Sequence, residues 1–279
     1  MGPADQAFGS TRVLHVGMWS AAATAALAAV SFGVAATTPP RTGPFAAPGT
    51  AIAYPYSTAA QYVPHDFIWM YLALLMMLAF LVLAVCIRER VTDERKVFGT
   101  IELCLSAVAF TVIGMDYFIQ LRTVQPALLR GELDGLAILS QYNPHGVFIA
   151  LEELGFLVLG LSFAFLALAL GSSGVERVTR WVFLVSSALM VAAFAGMSLY
   201  FGFGLEYRFE VAAITIGWFT LMISGVLLVF VFRRPVRQRS NEGGRRMTLI
   251  TGEIVIERRV EEVFDFVSDE CNEPRYNRR

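Results

Sequence analysis

Apolar residues dominate six stretches of this chain, 13–36, 66–87, 97–121, 146–170, 178–201 and 209–232. A hydrocarbon core takes roughly 20 apolar residues in a helix, and backbone polar groups in lipid must be satisfied within the segment. The pattern therefore predicts an all-α membrane protein. A six-transmembrane-helix bundle occupies 1–232, a basic juxtamembrane linker 233–247, and a short cytoplasmic strand-helix tail 248–279.

The third stretch breaks its apolar pattern in a regular way. Helical steps of three and four set Glu102, Ser106, Ala109, Ile113, Asp116, Gln120 and Thr123 on one stripe, and the other faces are nearly all apolar. Ionisable residues are costly in lipid and are functional candidates by default, so the stripe is expected to look into the bundle. The fourth stretch runs back the other way and brings Glu152 and Glu153 close to the depth of Asp116. These two glutamates lie about 100° apart on a helix. Glu152 shares its face with Gly155 and Ser162, small residues that allow close approach, and is expected to face the stripe. Like charges gathered in low dielectric do not all stay ionised, so at least one carboxyl is expected to hold a proton.

Two readings of these residues stand. In one, they form an outward-facing polar pocket for a small molecule or cation, serving binding or transport. Asp116 and Glu152 are its acceptors, Glu153 lies beside them, and Tyr117 and Gln120 orient the ligand. In the other, the same residues are an interhelical hydrogen-bond network that only fixes how the helices pack.

Composition supports the membrane assignment, since 56% of residues are hydrophobic and only 16% charged, beyond the apolar share of a soluble domain. The net charge of −1 hides a segregation by loop. Arg88, Arg90, Arg95 and Lys96 fall between the second and third stretches, Arg177 and Arg180 between the fourth and fifth, and six arginines from Arg233 to Arg246 follow the sixth. The alternate loops hold Arg41, then Arg122 and Arg130, then Arg208. Positive loops stay inside, which predicts a multi-pass cell-membrane protein with both termini cytoplasmic. The linker arginines suit anionic lipid head groups, and nothing supports a nucleic-acid partner.

The first stretch resembles a secretory signal in having Arg12 before it and Val34-Ala35-Ala36 at its end, but its apolar run exceeds that of such signals. It is therefore read as a helix. Cys86, Cys104 and Cys271 all fall at or near the cytoplasmic side, and no disulfide is expected. His15, His65 and His145 read as interfacial or capping groups, and no cofactor or metal ligand set can be named. No nucleophile elbow, Walker loop, zincin helix or dinucleotide fingerprint occurs, so the sequence leans against an enzyme, and the halves show no repeat, so the inverted-repeat argument for a transporter is missing.

Two connecting segments carry further expectations. Segment 37–65, rich in proline and tyrosine, either folds over the outer mouth as a lid or merely joins two helices that are not neighbours. In 122–145 the leucines after Pro126 suit a short surface helix, with Asn143 capping and Pro144 opening the next span. Small residues through 186–196 predict a fifth span packed tightly inside the bundle. Glu206, Tyr207, Arg208 and Glu210 are read as a loop in which Arg208 pairs with either acid or reaches over the outer pocket.

Beyond the linker, 248–258 alternates as a strand does and 260–267 is patterned as an amphipathic helix. The run from Gly252 through Glu261-Glu262-Val263-Phe264, Phe266-Val267-Ser268-Asp269 and Asn272-Glu273-Pro274-Arg275-Tyr276 resembles the opening of the START-like superfamily (SRPBCC), which includes polyketide cyclases and dehydrases. The resemblance covers about the last 30 residues and departs at Arg259-Val260, where the family has proline. It implies a helix-grip fold around a hydrophobic ligand, of which most of the sheet and the long helix are absent, so a truncated domain is the expectation and a remnant the alternative. The alternative function is then a membrane anchor for a cytoplasmic START-like domain.

Overall fold

Each long apolar run closes its own backbone hydrogen bonds as a helix. The structure, a computed structural model, describes residues 3–38, 40–46, 48–233 and 258–268. In chain order the α-helices are α1 Pro3–Ala35, α2 Ile68–Arg90, α3 Lys96–Ile119, α4 Gln125–Arg130, α5 Leu136–Leu139, α6 Val147–Ala169, α7 Gly174–Phe201, α8 Tyr207–Phe232 and α9 Val260–Ser268. Among the described residues six helical spans are long and apolar enough to cross a membrane, contributed by α1, α2, α3, α6, α7 and α8. The chain is a multi-pass membrane protein built as an all-α bundle.

The chain divides into two units, 1–236 and 237–279. The expected strand-helix tail is corrected here. Among the described residues every regular element is helical, and Arg258, the last position of the expected strand, lies in a bend. A lone strand has no partner for its backbone N–H and C=O groups, and even a two-stranded hairpin is only marginally stable in water. The rest of that segment, 248–257, lies outside the described residues, as do linker positions 234–247. The helix expected over 260–267 is present as α9.

In the first unit, sequence neighbours pack side by side. Helix α3 meets α6, and α8 returns to α1, which closes the ring. Helix α6 also touches α8 directly, which leaves α7 outside the curve. Only 22% of the most apolar window of α7 is buried, against 50% for α2 and for α6. The tight inner position expected for the fifth span is thus corrected. Ser186 and Ser187 face inward, but Ala192, Ala195 and Gly196 are exposed.

Close approaches are set by small residues. A Cβ on Gly155 of α6 would lie 2.3 Å from Ile113 of α3, and one on Gly225 of α8 would lie 2.8 Å from the Ala21 carbonyl of α1. At one end of the bundle the connections are short, 91–95 and 170–173, and Arg95 donates to the Leu170 carbonyl at the end of α6. At the other end two of the three connections are long, 36–67 and 120–146, and the site is built there.

Two departures from regular helix shape that long-loop end. Helix α3 passes through a π-helical turn, Gln120–Val124, before α4. The wider turn rotates the side chains that follow. The buried stripe therefore runs from Glu102 to Gln120 and continues at Val124, while Thr123 is exposed. The single surface helix expected after Pro126 is two pieces, α4 ending at Gly131, whose φ is 72°, and α5. Helix α6 starts at Val147, not at Pro144, because Asn143 Oδ1 accepts the His145 N–H and the Asn143 carbonyl accepts the Gly146 N–H.

Candidate functional site at the long-loop end

Three acids from three helices converge near this end. Asp116 on α3, Glu152 on α6 and Glu210 on α8 are buried. Tyr117, next to Asp116, donates its hydroxyl to Glu152 Oε1 at 2.5 Å. The Glu152 and Glu210 carboxyls lie within hydrogen-bonding reach of each other, and Asp116 is close enough to interact with both. One oxygen on each acid, Asp116 Oδ2, Glu152 Oε2 and Glu210 Oε2, is buried without a hydrogen-bond partner. Ionised carboxylates only accept, so two facing each other cannot satisfy one another. A proton shared between Glu152 and Glu210 would supply the missing donor.

Aromatic rings enclose the cluster. Trp69 meets Tyr117 edge-on at 5.1 Å between centroids, Tyr117 stacks on Phe148 at 6.2 Å, and Trp69 lies 6.0 Å from Trp218. On the far side of Trp69 and Trp218 a cleft of about 360 Å³ opens, lined by Arg41, Asp66, Tyr142 and Glu210 among others. Glu210 thus has one side toward the buried acids and one toward the cleft.

The rim of the cleft is an ion pair with extra partners. Arg41 grips Asp66 through Nε at 2.5 Å and Nη2 at 2.9 Å, and its guanidinium lies 3.4 Å from the centre of the Tyr62 ring. Tyr142 donates to Asp66 Oδ2 at 3.2 Å, His65 Nδ1 lies 3.1 Å from Oδ1, and the Trp69 indole N–H donates to the Asp66 carbonyl at 3.0 Å. The hydrogen bond to Asp66 holds the Arg41 guanidinium above its ordinary value, against the opposing effect of burial. Burial, and then Asp66, push the Tyr142 phenol well above the ordinary tyrosine range. Thr42 donates to the Tyr142 carbonyl at 2.6 Å and lies 2.7 Å from the Tyr207 hydroxyl. Segment 37–65 is therefore strapped across the end of the bundle, and it joins two helices that do pack together, α1 and α2.

Of the residues singled out from the sequence, Asp116, Tyr117 and Glu152 come together as one group. Glu153 is half-buried on the neighbouring face of α6. Gln120 is committed elsewhere, since its Nε2 donates to the Leu139 carbonyl at 2.6 Å and its Oε1 accepts the Gln141 N–H at 3.1 Å. It ties the loop to α3. Arg208 lies 3.6 Å from Glu206 and 4.4 Å from the centre of the Phe201 ring, which leaves Glu210 to the interior.

Sequence reasoning missed Glu210, Asp66 and Arg41. The signal for the pair was present, because Arg41 is the one arginine in 37–65 and Asp66 is the acid immediately after that segment. Among the described residues no group of three or more His, Cys, Asp or Glu is arranged to hold a metal ion. No family model, no curated protein and no solved structure matches the chain.

Proposed function

We propose that the long-loop end faces the outside and that its cleft binds an organic cation, for uptake, export or sensing, with Glu210 as the counter-charge. One observation carries the reading: Glu210 lines an aromatic-walled cleft with a buried carboxyl oxygen that has no partner. Aromatic faces and a carboxylate together suit an ammonium ion, whose attraction to a ring grows when it is desolvated. Arg41 does not oppose this, because Asp66 neutralises it. Asp116, Glu152 and Tyr117 act behind Glu210, where a cation would displace the shared proton. The orientation is supported by Arg88, Arg90, Arg95, Lys96, Arg177 and Arg180 at the short-loop end. A cysteine at exposed Phe203 is expected to react with an impermeant maleimide on intact cells.

The binding test uses the full chain in nanodiscs and decyltrimethylammonium below its micellar concentration, read by tryptophan fluorescence. Saturable binding that is lost in Glu210→Gln and kept in Arg208→Gln is expected. Binding indifferent to Glu210 overturns the reading.

A second reading makes the bundle an anchor for a cytoplasmic START-like module that takes a hydrophobic ligand, with the arginine linker on anionic head groups. It is favoured by α9, which forms over Val260–Ser268 with Val260 and Phe264 exposed. The coding sequence after codon 279 tests it: an in-frame continuation that completes the sheet and long helix is expected, and an immediate stop codon overturns it.

A further inference from the structure

Helices α1 and α8 do not run in contact along their whole length. Toward the short-loop end they touch, with Phe232 against Gly17 and the backbone of Ala21 against Gly225. Further along, Phe32 sits between them, 6.2 Å from Trp218 and 5.1 Å from Phe219 between ring centroids. Beyond Phe32 the helices part. The cleft occupies the gap, bounded by Ala35 and Ala36 on one side and Val211, Ile214 and Thr215 on the other.

The burial pattern shows which way this gap opens. Val211 and Thr215 are exposed and lie one turn apart on the face of α8 turned away from the bundle, while Glu210 and Trp218, which line the same cleft, are buried. The cleft therefore runs from a lipid-facing wall to a buried floor. Glu210 and Trp218 are eight residues apart, so the floor descends about 12 Å along α8. The end that faces water is strapped, since Arg41 grips Asp66 and Thr42 bridges Tyr142 and Tyr207 across it.

We propose that the cleft is a lateral portal, through which an amphipathic cation enters from the surrounding leaflet with its ammonium head on Glu210 and its alkyl chain along the gap between α1 and α8. This rests on the cation-binding reading above and adds the class of ligand and its route. A head without a chain leaves the Phe32 and Trp218 walls unfilled. A chain buried there leaves hydrocarbon for an apolar slot, while the ammonium gains a carboxylate in place of the head-group region.

The test compares tetramethylammonium with decyltrimethylammonium on the full chain in nanodiscs of fixed phosphatidylcholine and phosphatidylglycerol content, with the decyl affinity expressed per mole fraction in the lipid. Thr215→Trp and Val211→Trp each fill the portal at an exposed position, so neither disturbs the core. At least tenfold weaker decyltrimethylammonium binding is expected in both variants, with unchanged thermal midpoints and at least tenfold weaker binding of tetramethylammonium to the parent. Glu210-dependent binding that neither tryptophan alters, or that tetramethylammonium matches, overturns the portal and leaves the cation site standing. Binding that survives Glu210→Gln overturns both.

Discussion

Tyr117 of α3 donates to Glu152 of α6 across the bundle at 2.5 Å, and both side chains are shielded from solvent. Removing the hydroxyl leaves a buried carboxyl with one donor fewer, which costs about 1–3 kcal/mol. Tyr117→Phe is expected to lower stability by that amount in detergent unfolding. Tyr117→Phe is expected to cost less in the Glu152→Met background than in the parent, because the acceptor it would strand is already gone. An equal loss in both backgrounds would refute the pairing.

Glycine substitutions separate contact faces from lipid faces. Gly155→Ala puts a Cβ against Ile113, and such overpacking costs about 1–3 kcal/mol. Gly196 of α7 has nothing within 4 Å of its would-be Cβ. Gly196→Ala is expected to stabilise by about 0.5–1 kcal/mol through helix propensity. Thermal midpoints moving in opposite directions are the expected result. Equal shifts would contradict the peripheral place of α7.

The spans and the inward stripe were legible because they rest on local rules. Helical period put Asp116 on the buried face, and helical rise matched it to Glu152 in depth. What was not legible depends on which helices are neighbours. Glu210 reads as a loop acid until α8 is known to touch α6 as well as α1. Thr123 reads as part of the stripe until the π turn at Gln120–Val124 rotates it outward. The alanines and glycine of α7 read as a helix contact, and lipid accepts such residues equally well. Strand-like alternation in the tail is a local signal that meets no partner strand among the described residues.

The Arg41–Asp66 pair should be unforgiving of conservative change. Its side chains are 10% and 5% exposed, and Arg41 uses two nitrogens of its fork. Arg41→Lys keeps the charge but loses the bidentate geometry. Asp66→Ala leaves a buried guanidinium unpaired, at a cost of about 3–5 kcal/mol. Limited proteolysis of the 37–65 strap is expected to be faster in Asp66→Ala than in Arg41→Lys, and faster in both than in the parent. Equal rates in all three would show that the pair does not hold the strap.

Alkaline pH probes the same rim. Burial and Asp66 raise the Tyr142 phenol above the ordinary range, and burial raises that of Tyr56. The folded state therefore keeps its protons where the unfolded chain, near pH 10, has begun to lose them. Below that pH these two phenols are protonated in both states and contribute nothing to the pH dependence. Above it the unfolded chain is favoured. Unfolding midpoints are expected to fall as pH rises past about 10, and Tyr142→Phe to shallow that fall, with Tyr56 accounting for part of the remainder. A profile as steep in the variant as in the parent would separate Tyr142 from the effect.

Proton release on cation binding follows from the way Glu210 faces two directions. Toward the cleft it meets the ligand, and toward the interior it meets Glu152, with Asp116, Tyr117, Glu153 and Tyr207 the other titratable groups around it. A cation on Glu210 needs the carboxylate ionised, so the shared proton must leave or move to Glu152 or Asp116. Decyltrimethylammonium affinity is therefore expected to rise with pH in the parent, and weakly buffered samples to acidify on binding. Glu152→Gln fixes a neutral amide in that place, which can donate to Glu210 permanently. The variant is expected to bind with a flatter pH profile and to release fewer protons, while Glu153→Gln, outside the Tyr117 hydrogen bond, is expected to keep the parent profile. Proton release that is unchanged in Glu152→Gln would show that the two carboxyls do not share a proton.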